Sequence, residues 1–325
     1  MKRVFTAISV SLFILLFALV NLVSADNLRK VRIGYNGAAC EAALFLAYHK
    51  GYFKDAGIEA ELVKMDFETL KEGLATGKID ATQGNFKWIK PIEQGLNVRL
   101  VAGLHNGCIQ LVVPKNSPIK SIKDLKGKTV GVEAIGGGPM ILLAIELKKA
   151  GIDFKKDVSW KAYPGPQMEQ AAEKGEIDAI GIWDPWGEVA LQKNTYRRIF
   201  SSAHDTPYKD LYCCFLGLRA DFITKEPELA KRVVEAWLKG IETVAKNPEE
   251  AAKIELDNKY TGGDIKLITK LLKSYKWEPG VKRAAQDLKF YIKEQKAQGI
   301  LLPTTNETEF YNRLFAQVIP SYKGK

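Results

Sequence analysis

The side chains best able to do chemistry in this 325-residue chain are four cysteines and three histidines. Cys40, Cys108, Cys213 and Cys214, with His105, could hold a soft transition metal, because such ions prefer thiolate and imidazole donors. The same residues could equally be buried cysteines, a vicinal Cys213–Cys214 disulfide or a Cys40–Cys108 bridge, and packing is the expected role. No Cys-x-x-Cys occurs, so neither a zinc ribbon nor a thioredoxin-like motif is indicated. His49 beside Lys50 and His204 beside Asp205 read as surface groups. No Ser/His/Asp set, paired-carboxylate motif, nucleotide P-loop or dinucleotide fingerprint is present. Binding without catalysis, and with no metal or cofactor, is the expectation.

Four short segments have the composition of ligand-facing loops. In Asn36-Gly37-Ala38-Ala39-Cys40, small residues would let a solute approach the backbone, with Gly37, Ala38 and Cys40 nearest to it. The N–H groups at the start of the following helix would favour an anion there. Gln83-Gly84-Asn85-Phe86 follows a short strand and offers Gly84 and Asn85. Gly136-Gly137-Gly138-Pro139 opens a helix and could form a nest of N–H donors. Trp183-Asp184-Pro185-Trp186 sets a carboxylate between two aromatic walls. A carboxylate repels a simple anion at close range, so Asp184 in a cleft would count against nitrate and favour a zwitterion such as taurine. His105 follows a strand and could also reach such a cleft.

The elements that must position these loops alternate between strand and helix. Val31–Tyr35 and Ala60–Lys64 read as strands with a helix over 41–50 between them, and Phe67–Thr76 as a second helix stopped by Gly77. Ile79–Thr82 and Val98–Ala102 are further strands. The pattern restarts with Leu111–Val113, a short helical turn over 123–128 and Thr129–Val132. Ala56-Gly57-Ile58 with Gly77-Lys78-Ile79-Asp80-Ala81 is echoed by Ala150-Gly151-Ile152 with Gly175-Glu176-Ile177-Asp178-Ala179. This weak internal repeat predicts two α/β lobes of similar build, each with a mostly parallel sheet. The expected division is a signal peptide over 1–25, a first lobe begun by 26–112, a second lobe over 113–214, and a return over 215–325 with crossings near Val112 and Phe215. After Asp221 the chain reads as nearly all helical. Leu229, Val233, Trp237, Ile241 and Val244 form one apolar stripe. Trp237 and Trp277 are expected to pack in the interior.

Lys2 and Arg3, an apolar run to Val20, and Val23-Ser24-Ala25 read as a secretory signal cleaved after Ala25. An uncleaved anchor is the alternative, since the run nearly reaches spanning length. The formal net charge is +10, of which cleavage would remove the two charges of Lys2 and Arg3. The remaining lysines are interspersed with acids, which implies a solvated basic surface and no nucleic-acid partner.

The segments Lys50-Gly51-Tyr52-Phe53-Lys54-Asp55-Ala56-Gly57-Ile58, Gly77-Lys78-Ile79-Asp80-Ala81, residues 122–132 (IKDLKGKTVGV) and Gly175-Glu176-Ile177-Asp178-Ala179 resemble the nitrate/sulfonate/taurine group of ABC-importer substrate-binding subunits. That group is related to the thiamine-pyrimidine (THI5/NMT1-like) proteins. The resemblance covers nearly the whole exported chain. It implies a type II periplasmic-binding-protein fold, a small solute held between lobes, and a monomer that delivers it to a membrane permease with an ATPase subunit. Export to the periplasm or cell exterior fits that role. Trp183-Asp184-Pro185 resembles the aliphatic-sulfonate members, which favours a sulfonate. Only Cys213-Cys214-Phe215 echoes the cysteine cluster of the related pyrimidine-precursor synthases. An intracellular enzyme of that kind, or a metal- or thiol-dependent site, is the alternative reading.

Overall fold

The computed structural model describes residues 28–319 and 322, so the signal segment and its cleavage site lie outside the described residues. The chain opens with β1 (Arg29–Tyr35), passes through a 3-10 turn into α1 (Ala42–His49), and continues through β2 (Ile58–Lys64), α2 (Phe67–Thr76), β3 (Ala81–Asn85), β4 (Val98–Asn106) and β5 (Ile109–Pro114). Then come β6 (Thr129–Val132), α3 (Gly138–Lys149), β7 (Ser159–Ala162), β8 (Ala179–Trp183), α4 (Trp186–Gln192), β9 (Tyr196–Ser201) and β10 (Cys214–Arg219). The last third holds α5 (Pro227–Lys246), α6 (Pro248–Asp257), α7 (Ile265–Ser274), β11 (Lys276–Gly280), α8 (Lys282–Ala297) and α9 (Glu307–Leu314).

Local chemistry accounts for these boundaries. Asp66 caps α2 by accepting from Thr69 N at 2.8 Å, and Gly77, at φ 74°, ends it in the left-handed conformation that a side chain disfavours. Pro227 and Pro248 sit in the first turns of α5 and α6, where no N–H is required. The apolar stripe of α5 is buried, and Trp237 within it is fully enclosed.

The strands form two sheets. The first runs β11-β4-β10-β3-β1-β2 and the second β7-β6-β8-β5-β9. In each, three parallel strands are joined by an antiparallel strand supplied from the other side of the crossing: β10 lies against β3 and β4, and β5 against β8 and β9. This is a two-lobed α/β arrangement, one sheet to each lobe, and it gives structural substance to the repeat read from the sequence. The chain crosses first at Gly107-Cys108, where both residues have positive φ (89° and 96°), and returns through 202–213. Val112, near which the first crossing was expected, lies within β5 of the second sheet. Two consecutive left-handed residues make the turn, a signal that the apolar run over 109–113 hides. The region after Asp221 is helical except for β11, whose Trp277 is buried as expected. No helix among the described residues is long and apolar enough to cross a membrane.

Candidate functional site

A cleft of about 780 Å³ opens between the two sheets. It is lined from Asn36 and Gly37 after β1, Lys64–Glu68 after β2, Glu133–Ile135 after β6, residues 162–166 at the end of β7, and Trp183 and Trp186 at the end of β8. All five are carboxyl ends of parallel strands, where open α/β sheets place their ligands. Residues 259–262, between α6 and α7, close the remaining side.

The walls are aromatic: Phe67, Tyr163, Trp183, Trp186 and Tyr260. Tyr260 is held by stacking on Phe45, with ring centroids 4.0 Å apart, and by a 3.0 Å hydrogen bond to His49 Nε2. Trp186 is gripped between two glycines. A Cβ on Gly165 would lie 2.3 Å from its ring, and one on Gly262 2.7 Å. Gly165 belongs to the second lobe and Gly262 to the helices of the first, so Trp186 bridges the cleft.

The polar groups of the cleft divide into committed and uncommitted. Asp66 is occupied as the α2 cap, and Glu68 pairs with Lys71 at 2.6 Å. Glu133 Oε2 and Thr261 Oγ1 are buried without a hydrogen-bond partner among the described residues. Lys64 and Lys259 line the same space and form no ion pair among the described residues. The cleft therefore presents an unused acceptor and unused cations together, which suits a solute with both a donor end and an anionic end.

The sequence-predicted residues fall into three groups. Gly37, Trp183 and Trp186 line the cleft. Ala38, Cys40, Gly84 and Asn85 line a smaller cavity of about 30 Å³ that shares Asn36 and Trp183 with the cleft. His105, Asp184, Gly136, Gly137 and Gly138 line neither. The three N–H groups of residues 36–38, expected to face an anion, all donate to the buried carboxylate of Glu41 at 2.7–3.1 Å. Burial pushes the Glu41 carboxyl above its usual range, although those N–H donors pull against it. In the glycine loop, Gly136 N points to Met140 Sδ and Gly137 N donates to Ala134 O. Gly138 instead meets the other lobe, since a Cβ there would lie 2.1 Å from Asn85 Nδ2.

Asp184 is turned inward, 2 % exposed, and accepts from Gln110 Nε2 and, at 2.7 Å, from Tyr275 OH. Its backbone bonds Cys108 O and receives Ala39 N. Burial pushes its carboxyl up to about 6, against the pull of those two hydrogen bonds. The carboxylate thus ties the β8–α4 turn to the first lobe and does not face the cleft.

The segments 64–68, 133–135, 162–166 and 259–262 were not singled out from the sequence. Three of them directly follow strands, and Tyr163-Pro164-Gly165-Pro166 has turn composition, so position after a strand was the usable signal. The fourth lies in the helical third and carries no such mark.

The family described as "NMT1/THI5 like" matches residues 40–251. A protein of Bacillus subtilis (strain 168) named as an aliphatic sulfonates-binding protein is 28% identical over 286 residues, 84% of this chain and 83% of that one. The alkanesulfonate-binding protein SsuA from Xanthomonas axonopodis pv. citri, solved bound to MOPS, superposes with a TM-score of 0.74 at 17% identity, covering 90% of this chain and 99% of that one. The periplasmic nitrate-binding protein NrtA from Synechocystis PCC 6803 gives 0.77 at 17% identity, covering 90% and 87%. The family match spans well over half the chain and the superpositions span nearly all the described residues, so the protein belongs to the NMT1/THI5-like family and has the periplasmic-binding-protein fold.

Proposed function

We propose that this protein is the extracytoplasmic solute-binding component of an ABC importer, capturing a small organic zwitterion or anion of the sulfonate class for a membrane permease and its ATPase. The observation that carries the reading is the cleft itself, where aromatic walls enclose a Glu133 carboxylate oxygen, Lys64 and Lys259, none of them hydrogen-bonded or ion-paired among the described residues. A volume of about 780 Å³ lies in the range of organic-ligand pockets and far exceeds the needs of a bare inorganic anion. The relatives named for sulfonates support the class, and the basic, apolar N-terminus ending at Ala25 supports export. The aromatic walls also suit a pyrimidine ring, which makes a pyrimidine precursor the second reading.

A thermal-shift panel on ligand-stripped protein tests the proposal. A solute that binds only the folded state at about 100 times its Kd stabilises it by about 2.7 kcal/mol. Taurine or an alkanesulfonate is expected to raise the Tm by several degrees, with no shift from nitrate. A shift with pyrimidines alone would move the assignment to the second reading.

A further inference from the structure

Where the end of β4, the Gly107-Cys108 crossing and the start of β10 meet the 3-10 turn before α1, four side chains converge: Cys40, His105, Cys108 and Cys214. Their candidate donor atoms all lie within 4.8 Å of one another. They are 4, 0, 1 and 3 % exposed. We propose that this cluster is a binding site for a single soft transition-metal ion, zinc being the first candidate, which pins together the two crossing segments.

His105 Nδ1 lies 3.3 Å from Asn106 O, whereas Nε2 is buried with no hydrogen-bond partner of good geometry among the described residues and has the Cys40 and Cys214 thiols as neighbours. A proton on Nδ1 directed to that carbonyl leaves the Nε2 lone pair free to act as a ligand, the usual arrangement for a metal-bound imidazole. The ring is fixed between Tyr275 and Trp277, with centroids 5.3 and 4.9 Å away.

The donor set is three sulfurs and one nitrogen, that of a closed tetrahedral zinc site. With metal–ligand bonds of about 2.0–2.3 Å the donors need to draw together by only about 1 Å. Binding displaces three thiol protons to solvent and leaves one net negative charge on the centre. Lys87, whose ammonium bonds Asn36 Oδ1 at 3.3 Å, also lines the small cavity shared with Cys40, Cys108 and Cys214 and adds a positive charge on that side. Cys213, whose Sγ lies 3.1 Å from Cys108 Sγ, is outside the four-residue set. Its nearness defines the competing outcome, a Cys108–Cys213 disulfide formed by an external disulfide oxidant, which would consume one ligand. The inference is independent of the solute proposal, because its readout is metal content and spectrum.

The experiment is a titration of the full exported chain, reduced and stripped with chelator, using Co²⁺ as a zinc surrogate. It is followed by gel filtration and elemental analysis of a zinc-loaded sample. The expected result is one equivalent of metal and an intense thiolate-to-cobalt charge-transfer band in the near ultraviolet. Cys213→Ser should retain both, whereas Cys40→Ser and His105→Ala should each weaken binding more than about tenfold. Absence of the band in the wild-type chain overturns the proposal whatever the variants do. So does undiminished binding by folded Cys40→Ser and His105→Ala, or a denatured thiol count of two in freshly isolated, metal-free protein.

Discussion

Asp184 and Glu133 are carboxylates in neighbouring turns with opposite situations. Asp184 spends its oxygens on Gln110 and Tyr275, while Glu133 keeps one buried oxygen unused. The sequence placed a charge between Trp183 and Trp186 correctly in the chain but not in space. Its decisive partner, Tyr275, is 91 residues away, and no local pattern reports that. Glu133 went unnoticed because it follows β6 with no aromatic or glycine beside it. The raised Asp184 carboxyl has a consequence of definite sign. The folded protein holds this proton up to about pH 6, whereas the unfolded chain releases it near the ordinary value of 3.8. The group's contribution to stability therefore declines as pH rises between those values, by an amount on the order of 2–3 kcal/mol. Asp184→Asn, which cannot ionise, is expected to show a smaller fall in stability than the wild type from pH 4 to pH 6.5 in paired denaturant titrations. Parallel curves for the two proteins would contradict the assignment. In the cleft, Glu133→Gln is expected to weaken an aminosulfonate about tenfold or more while sparing its amine-free analogue, and Lys64→Ala to weaken both, as read by calorimetry.

Elements with strong local signals were legible in full. Phe67–Thr76 and Thr129–Val132 coincide with the structure because a cap, a stop glycine and an apolar run fix them without tertiary help. β11 was missed because Lys276–Gly280 contains Pro279, which argues against an interior strand. It is accommodated because β11 sits at the edge of its sheet. The crossing of α5 over α1 is equally invisible to the sequence. There a Cβ on Gly240 would lie 2.3 Å from the carbonyl oxygen of Ala43, a backbone atom that cannot swing aside. Gly240→Ala is expected to destabilise the fold by about 1–3 kcal/mol despite alanine's better helix propensity, measured as a lowered denaturant midpoint at unchanged slope. A gain in stability would mean that the helices separate freely.

At the scale of the whole molecule, two sheets of matching order face each other across a cleft and are joined at Gly107-Cys108 and 202–213. Trp186 against Gly262, Asp184 against Tyr275 and Gly138 against Asn85 hold the lobes together. A solute trapped there would have to favour this closed arrangement over an open one for capture to shift the population. The repeated strand–helix pattern made the two lobes readable from the sequence. Which loops line the cleft depended on strand order and lobe closure, which the sequence does not display. Calorimetric titration of the wild-type protein with taurine, ethanesulfonate and nitrate in parallel tests the two-ended recognition most directly. Taurine is expected to bind tightest, ethanesulfonate more weakly and nitrate not measurably. Nitrate binding as tightly as taurine, or neither sulfonate binding at all, would contradict it.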